Sequence, residues 1–380
     1  MNMWIFNTCV VFVLCVFFAG ILIPKILLIA FRKRLFDLPN ERKIHTSIVP
    51  RLGGIAFKPV VFFSVALLLG VNMVTGHMEV LNAFGENVRA LLFGFCSIMV
   101  LYLVGMADDL IGIRYRAKFV IQILCGVMLI AGGVWIEDLH GILGIYTLPT
   151  WVAYPFTVLI VVFVINAINL IDGIDGLASG LCSVALVIYG LAFFALGMYA
   201  YAILAFATLG VLVPFFYYNV FGNAARGRKI FMGDTGSLTI GMMLCFLGIV
   251  LSQSYPFGMP DMPDSVVLAF SPLLIPCFDV VRVFFHRIRN GKNPFMPDKS
   301  HIHHKLLAIG MKQRWAMMTI LCVSLVFSSC NVLLSMYMNI NILLALDLAI
   351  WIFTNIWLSK EIERRSLAKN ATLESVIDNN

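Results

Sequence analysis

Eleven long apolar segments, separated by short polar loops, set the strongest limit on what this chain can fold into. Each is close to the roughly 20 apolar residues that an α-helix needs to cross a lipid bilayer. Charged residues make up 12% of the chain, against about 25% in an ordinary soluble domain, so a water-soluble surface is excluded. The predicted segments are residues 3–31, 54–74, 88–107, 118–134, 151–169, 177–196, 199–219, 235–253, 265–285, 315–336 and 341–358.

These segments predict an all-α, polytopic integral membrane protein with about 10–11 transmembrane helices. We expect a single transmembrane domain over residues 1–358 and a cytoplasmic tail over 359–380. The first apolar run has no basic residue before it and is longer than the core of a signal peptide, so we expect a retained helix. The nine cysteines are scattered through apolar stretches, which is typical of small core residues and not of a disulfide framework.

Lys and Arg are distributed very unevenly between alternate loops, and this asymmetry predicts the orientation of the chain. With the N-terminus outside, nearly all of these cations fall on the cytoplasmic side, and the odd helix count places the tail there too. A basic membrane surface favours anionic partners such as lipid head groups or nucleotide phosphates, whereas nucleic acid is not expected. The outer loops without Lys or Arg are those near residues 75–87, 135–150, 197–198, 254–264 and 337–340.

Four polar clusters that are far apart in the sequence fall on this cytoplasmic side. Because alternate helix ends meet at one membrane surface, we expect the clusters to lie close together in space. The catalytic loops are predicted near residues 32–53, 107–118, 169–177, 220–235 and 286–314.

Two of the clusters combine carboxylates with amides. Asp108 and Asp109 are adjacent, and adjacent carboxylates repel each other unless a cation or a shared proton intervenes. In the stretch VINAINLIDGIDGLASG, Asn166, Asn169 and Asp172 recur every three residues and so share one side of a helix. Acids at a helix end are also common as solvated caps, but polar groups at membrane depth are costly and usually functional.

The third cluster, RGRKIFMGDTGS, places Asp234 at the start of the eighth apolar segment. Its hydroxyls and the start of a helix suit a phosphate, although Asp and Ser are also frequent helix caps. Phe231 could stack on a base, or it could anchor the chain at the membrane surface.

The fourth cluster, HRIRNGKNPFMPDKSHIHHKL, is strongly basic and contains three histidines near its end. Arginines together with histidines suit phosphate binding. Zinc is a weaker alternative, because no cysteine accompanies the histidines, and a solvated basic loop is the simplest alternative. Carboxylates that hold a divalent metal beside cations that hold a diphosphate would suit phosphoryl transfer between a soluble nucleotide and a lipid phosphate.

The chain resembles the polyprenyl-phosphate N-acetylhexosamine-1-phosphate transferases, integral membrane enzymes of bacterial envelope glycan synthesis. The motifs ADDLIGIRYRAKF, NAINLIDGIDGLASG, FMGDTGSLTIG and PDKSHIHH are similar to those of the family and follow its order. The segment FDLPNERKIHTSIVPRLGGIA resembles the family's first cytoplasmic loop, and the resemblance extends over residues 1–335.

The resemblance implies a reaction and its partners. Undecaprenyl phosphate would attack the β-phosphate of a UDP-sugar in the bacterial inner membrane, with Mg²⁺ as cofactor and Mn²⁺ as an alternative. The products would be UMP and a lipid-diphosphate-sugar, and a homodimer is a further expectation by analogy. No Lys or Arg is near Asp172 or Asp175 in the sequence. We therefore expect their counter-charges to come from a metal held mainly through Asp234 and from the cations of residues 286–306.

The resemblance also implies site residues by their positions in these motifs. The paired aspartates would orient or deprotonate the lipid phosphate, and the DGIDG and GDTGS acids would serve the nucleotide and the metal. The implied catalytic residues are Asp108, Asp109, Asp172 and His301; the substrate-binding residues are Asn166, Asn169, Asp175, Asn219, Phe231, Arg287, His303 and His304; the metal ligands are Asp234 and Asp172.

The segment after the last motif favours one sugar donor. The branch of the family that uses the muramyl-pentapeptide nucleotide has three adjacent histidines followed by Phe-Glu, whereas this chain has HIHHKLLAIGMKQRW. It resembles the branch that uses UDP-GlcNAc. The alternatives are another UDP-HexNAc, UDP-MurNAc-pentapeptide, or a membrane transporter, whose site would lie near the bilayer midplane instead of at one face.

Overall fold

The computed structural model describes residues 2–33, 35, 49–254, 262–291, 293 and 300–377, with only the backbone from residue 368 onward. Fourteen α-helices and one pair of short strands occur within these ranges. The helices are α1 Asn2–Lys33, α2 Phe57–Val74, α3 Met78–Glu86, α4 Val88–Ile111, α5 Tyr115–Ala131, α6 Thr150–Ile171, α7 Leu177–Ala195, α8 Tyr199–Phe216, α9 Gly233–Ser252, α10 Ser265–Phe270, α11 Leu274–Arg289, α12 Ile302–Ala308, α13 Gln313–Leu334 and α14 Ile340–Ile377.

The all-α, polytopic architecture that the apolar segments predict is confirmed. Each of the eleven segments coincides with a helix, and in the part of the chain that is described ten helices are long and apolar enough to cross a membrane. The predicted segment 265–285 is one span made of α10, a 3₁₀ turn at Ser271–Leu273 and α11. Pro272 and Pro276 account for the break, because proline has no N–H for the helical hydrogen bonds.

Helix α5 is shorter than the other predicted spans, with 17 residues, or about 25 Å at 1.5 Å per residue. At one end, Arg89 at the start of α4 donates two hydrogen bonds to the carbonyl of Ala131, at 2.9 and 2.7 Å. At the other end, the Lys118 ammonium lies 2.9 Å from the carboxylate of Asp108. Helix α5 therefore runs alongside α4 for most of its length and covers the same depth.

A short β-hairpin occupies part of the predicted outer loop 135–150. Its strands, β1 Asp138–Ile142 and β2 Ile145–Thr147, pair in an antiparallel arrangement. The backbone turns at Leu143 and Gly144, both with positive φ, a conformation that glycine adopts readily. The apolar-segment pattern did not predict this hairpin, because it identifies only segments long enough to span.

Helix α9 lies at the centre of the bundle, and 94% of its most apolar stretch is buried. Its sequence is apolar on all sides and rich in small residues, which lets neighbouring backbones approach closely. A Cβ atom added at Gly105 of α4 would come within 2.6 Å of the Thr235 Cα, and one added at Gly54 within 2.0 Å of the Gly236 nitrogen. These contacts fix the start of α9 against α4 and against the turn that precedes α2.

The two ends of the bundle differ in charge. One end, which we call the basic end, is formed by the last turn of α1 with Arg32 and Lys33, by Arg51, and by the α4–α5 turn with Arg114 and Arg116. The other, which we call the opposite end, contains the β-hairpin and the starts of α10 and α14. Asn341 joins the start of α14 to the hairpin, because it accepts a hydrogen bond from the N–H of Leu143 at 2.7 Å and donates to the carbonyl of Gly141 at 2.8 Å.

Candidate active site

Four helix ends meet at the basic end and bring three of the predicted clusters together. The C-terminal ends of α4 and α6 lie against the N-terminal ends of α5 and α9, and α9 contacts both α4 and α6. Asp108 and Asp109 come from α4, Asn169 from α6 and Asp234 from the first turn of α9. Residues that are 126 positions apart in the sequence, Asp109 and Thr235, are thus joined by a hydrogen bond.

The adjacent acids Asp108 and Asp109 have different partners. Asp109 accepts hydrogen bonds from the N–H groups of Asp234 and Thr235, both at 2.8 Å, and from the Thr235 hydroxyl at 2.5 Å. It therefore caps the start of α9, where helix N–H groups lack partners within the helix and favour a negative charge. Gly233, with φ +71°, makes room for it, since a Cβ there would lie 2.5 Å from an Asp109 carboxylate oxygen.

Asp108 instead faces Asp234 across a lysine. The Lys118 ammonium lies 2.9 Å from Asp108 Oδ2 and 2.7 Å from Asp234 Oδ2, so one cation bridges two carboxylates. The sequence interpretation did not identify Lys118. Only three residues, Gly112 to Arg114, separate α4 from α5, so a lysine in the first turn of the helix that follows the paired aspartates was a usable signal.

The two asparagines of the NAIN motif also have separate partners. The Asn169 side-chain amide donates to Asp234 Oδ1 at 3.0 Å and to the Ser237 hydroxyl at 2.7 Å, which orients the acid. Asn166, one turn deeper, donates to Gln122 of α5 at 2.6 Å and to the carbonyl of Val162 at 2.7 Å. Asn169 therefore belongs to the carboxylate cluster, whereas Asn166 joins α5 to α6 beneath it.

Asp172 ends α6 and lies in a crevice that is crowded by protein atoms yet open to solvent. Burial among these atoms raises the pKa of its carboxyl to about 7, and the negative charge of Asp234 adds to the shift. Asp175, in the next turn, lies 2.5 Å from the Lys229 ammonium. The counter-charges that we expected from the sequence for these two acids were therefore an incomplete set. Lys229, which precedes the GDTGS motif, pairs with Asp175, and Lys118 pairs with Asp234.

The predicted nucleotide contacts lie around the same turn. Asn219 accepts a hydrogen bond from the N–H of Gly176 at 2.6 Å and donates to the carbonyl of Ile230 at 2.8 Å, so it ties two loops together. The Phe231 ring lies 5.9 Å from the Lys229 ammonium. Its backbone pairs with that of Pro50 and Gly53, at 2.9 Å in each case. Only residues 49–56 of the predicted first-loop motif are described; residues 36–48 lie outside the described ranges.

The histidine cluster is organised by an aspartate that the sequence interpretation missed. Asp279 of α11 is fully buried, and its carboxylate lies 2.8 Å from His301 Nδ1 and accepts the N–H of Ile302 at 3.0 Å. The Arg282 guanidinium donates to it at 2.9 Å. An acid inside an apolar span is a functional signal by default, and it could have identified Asp279. Arg287 is also buried, at the end of α11, whereas Lys292 and residues 294–299 lie outside the described ranges.

His303 connects this cluster to the acidic loop. A Cβ added at Gly173 would lie 2.2 Å from His303 Nε2, so the ring packs directly on the backbone beside Asp172. Neither ring nitrogen of His303 has a hydrogen-bond partner among the described residues. Burial, with the neighbouring His304 and His301, lowers its pKa to about 3, so the ring is neutral at physiological pH. The ring of His303 stacks on that of His301, 5.8 Å away, and the His304 ring is 4.3 Å away.

The carboxylates that face Lys118 suit a hard divalent cation. Mg²⁺ is usually held by one or two carboxylates together with water and substrate phosphates, and less often by an all-protein cage. Asp108 and Asp234 already enclose a positive charge, and Asn169 orients the second of them. Among the described residues, no group of three or more His, Cys, Asp or Glu side chains is arranged to hold a metal. The pair of Asp108 and Asp234, with Asn169 beside it, fits a magnesium ion whose other ligands are water and substrate phosphate.

Comparison with known proteins adds independent findings. Residues 91–252, which include the paired aspartates and the DGIDG and GDTGS motifs, match the family description "Glycosyl transferase family 4". The chain is 30% identical, over 84% of its length and 82% of the relative, to a Bacillus subtilis (strain 168) protein named "Probable undecaprenyl-phosphate N-acetylglucosaminyl 1-phosphate transferase". "Undecaprenyl-phosphate alpha-N-acetylglucosaminyl 1-phosphate transferase" is the name of two further relatives. That of Escherichia coli (strain K12) is 30% identical over 80% of this chain and 78% of its own length. That of Yersinia pestis is 27% identical over 77% and 74%.

Proposed function

The chain belongs to glycosyl transferase family 4, and on that premise we propose that it transfers N-acetylglucosamine 1-phosphate from UDP-GlcNAc to undecaprenyl phosphate. A phosphate oxygen of the lipid would form a bond to the β-phosphorus of the nucleotide sugar. The bond from that phosphorus to the bridging oxygen would break, and UMP would leave. The product, undecaprenyl-diphosphate-GlcNAc, would initiate a cell-envelope glycan.

One observation carries the proposal beyond the names of the relatives. Asp108 and Asp234 face each other across a cation at the end of the bundle, and His303 packs on the loop that joins Asp172 to Asp175. Negatively charged ligands for a metal thus lie beside groups suited to a diphosphate. Phosphoryl transfer needs mainly this positioning and charge neutralisation.

We assign the metal to the carboxylates that Lys118 now bridges. Mg²⁺, or Mn²⁺ in its place, would be held by Asp234 and Asp108, with Asp172 close enough to add its charge. The ion would supply charge neutralisation on the transferring phosphate. Asp109 would hold the start of α9 in place, so that Asp234 and its neighbouring N–H groups stay aligned.

The remaining residues would bind the two substrates. Asp175, Asn219 and Phe231 would hold the uridine. Asp175 lies in the loop between α6 and α7, Asn219 is hydrogen-bonded to that loop, and Phe231 lies beside Lys229, the partner of Asp175. His301 would present Nε2 to the diphosphate, because Asp279 holds Nδ1. We assign the diphosphate also to Arg287, His303 and His304, which lie on or beside the same two helices, α11 and α12.

The orientation follows from the charge of the basic end. Lys and Arg concentrate on the cytoplasmic side of membrane proteins, and among the described residues at the opposite end Arg89 is the one Lys or Arg. We therefore propose that the basic end faces the cytoplasm of a bacterial inner membrane, with the N-terminus outside. A soluble UDP-sugar would then reach the site directly.

Two alternative functions, another sugar donor and a transporter, can be tested separately. Another UDP-HexNAc or UDP-MurNAc-pentapeptide would use the same chemistry, so donor choice must be measured. A transporter would place its acids near the bilayer midplane, whereas Asp108, Asp172 and Asp234 lie at helix ends. This position favours the transferase.

Release of UMP tests the proposal directly. The purified chain would receive Mg²⁺, undecaprenyl phosphate and UDP-GlcNAc, with UDP-GalNAc and UDP-MurNAc-pentapeptide in parallel reactions. We expect UMP release that requires both the lipid phosphate and the metal, and that is fastest with UDP-GlcNAc. Absence of UMP with every donor would contradict the proposed function, and faster release with another donor would correct the sugar.

A further inference from the structure

The histidines of the candidate site are carried by a helix that cannot be stable by itself. Helix α12 has seven residues and begins directly after His301, and isolated helices shorter than about 12 residues are marginal in water. Its position therefore depends on the elements that hold its ends. At its start, Asp279 of α11 binds both the His301 ring and the N–H of Ile302.

The other end of α12 is held by the C-terminal helix α14. The Lys305 ammonium donates to the carbonyl of Asn355 and to its side-chain oxygen, both at 3.2 Å, and to the Ser359 hydroxyl at 3.0 Å. Arg365, one to two turns further along α14, donates to the carbonyl of Ile309 just after α12. Polar groups on α14 thus reach Lys305 within α12 and the carbonyl of Ile309 just after it.

The lysine contact is specific and not a loose surface pair. Asn355 is buried, at 6% exposure, although it lies in an apolar span, so its polar groups need partners. Burial of Lys305, with the positive charge of Arg282 nearby, lowers the pKa of the Lys305 amine to about 8. The three acceptors on α14 compensate for this unfavourable environment.

The other side of α12 has little room for movement. His303 lies so close to Gly173 that even a methyl group at residue 173 would collide with the ring. A small tilt of α12 would therefore either press His303 into the loop beside Asp172 or withdraw it. Because α14 holds the end of α12, it controls this contact.

We infer that α14 is a positioning element of the candidate active site, and that Lys305 is the residue through which it sets the place of His301 and His303. This inference rests on the proposed function, since it concerns the same site. It assigns a role to residues 340–367, which lie outside the matched family segment 91–252 and outside every motif of the sequence interpretation.

Substitution of Lys305 tests the inference with a matched control. In Lys305→Met the apolar stem remains but the donors to α14 are lost, and we expect kcat to fall roughly 10–100-fold, as small misplacements of a site can cause. The KM for undecaprenyl phosphate should stay unchanged, and binding of UDP-GlcNAc, followed by thermal shift, should weaken. Lys305→Arg, which can still donate to Asn355 and Ser359, should recover most of the loss.

Lys360→Met is the control, because Lys360 is an exposed lysine on the same helix and its side chain forms no hydrogen bond or ion pair with the described residues of α12. It should match the unsubstituted chain in rate and in nucleotide binding. Wild-type kcat and nucleotide binding in Lys305→Met would overturn the inference. Equal losses in Lys360→Met, or in Lys305→Arg, would overturn it as well. If the unsubstituted chain bound UDP-GlcNAc without releasing UMP, the proposed function would fail, while the binding comparison would still decide the role of Lys305.

Discussion

The two ends of the bundle each contain a carboxylate paired with a lysine or histidine side chain, but they use the pair differently. At the opposite end, Asp264 lies 2.9 Å from His140 Nδ1 and accepts the N–H groups of Val266 and Val267 at 2.9 and 3.0 Å. At the basic end, Asp234 lies 2.7 Å from Lys118, and its side chain is 27% exposed against 7% for Asp264. Similar distances therefore serve a closed structural contact at one end and an accessible charged cluster at the other.

The comparison also separates neighbouring residues within the candidate site. Asp109 resembles Asp264 more than it resembles Asp108, because both Asp109 and Asp264 cap the first turn of a helix with backbone N–H bonds. Asp108 and Asp234 instead share the Lys118 ammonium as their counter-ion. Membership in an acidic motif thus does not by itself define a chemical role; the partners of each carboxylate do.

The largest expected effect is at Asp234. In Asp234→Asn the side chain keeps its shape but loses the charge proposed to hold the metal, and we expect UMP release to fall at least about 10²–10³-fold. The midpoint of thermal unfolding should change little, since the backbone contacts of α9 remain. A variant that keeps more than a tenth of the activity would remove the distinction between the two ends.

Asp109 is expected to combine the behaviour of both ends. Asp109→Asn replaces an acceptor oxygen by an amide at a helix start, so we expect near-total loss of UMP release. The free energy of unfolding should also fall, by about 1–3 kcal/mol, because buried N–H groups lose their acceptor. Denaturant titration in detergent measures the second effect, and unchanged stability would mean that Asp109 does not cap α9.

Asp279→Asn tests whether the histidine cluster depends on its buried acid. The partner that orients a functional histidine typically contributes about 10–100-fold to activity, and we expect a loss of that size in UMP release. Asp279 is the acid that fixes His301 Nδ1, so His301→Ala in the same background should add little further loss. Independent, multiplicative losses would show that the two residues do not act together.

Asp264→Asn is the matched substitution at the opposite end and should have little effect on activity. The Asn oxygen can still cap α10, but an amide nitrogen replaces the oxygen that faces His140 Nδ1, so we expect the free energy of unfolding to fall by about 1–2 kcal/mol. UMP release at a temperature well below the unfolding midpoint should stay within a factor of two or so of the unsubstituted chain. A loss comparable to that of Asp234→Asn would place function at both ends.

Cysteine labelling in intact cells, which perturbs the protein least, compares how accessible the two ends of the bundle are from outside. Cysteines introduced as His77→Cys at the opposite end and as Lys360→Cys at the basic end replace exposed residues. A membrane-impermeant thiol reagent should label the first in intact cells and the second only after permeabilisation, with the unsubstituted chain as background. The reverse pattern would invert the proposed orientation.

The helices were predictable from the sequence because apolar length is a local property. Even α5, which is only 17 residues long, coincides with a predicted apolar segment. The gathering of the acidic motifs at one end also followed from the alternation of helix ends. The lysines that pair with these acids were not predictable, because most of the pairs join distant positions. Lys118 pairs with Asp234, 116 positions away, as well as with Asp108, 10 positions away, and Lys229 pairs with Asp175, 54 positions away.

The different roles of Asp108 and Asp109 were equally hidden. They depend on the register between α4 and α9, which is set by the close approach of Gly105 to Thr235. Nothing in the local sequence of either helix states that register. Asp279 is a different case. A lone acid within an apolar span was visible in the sequence, but the sequence interpretation did not use it.

The enclosure of α9 has a consequence for motion during turnover. A helix with 94% of its apolar stretch buried cannot shift without unpacking several neighbours at once, and elements with dense packing open least. Asp234 and the N–H groups that Asp109 caps are therefore stationary parts of the site. Any rearrangement that admits a lipid or a nucleotide is therefore expected in elements other than α9, while the acids at its start keep fixed positions to which both substrates are referred.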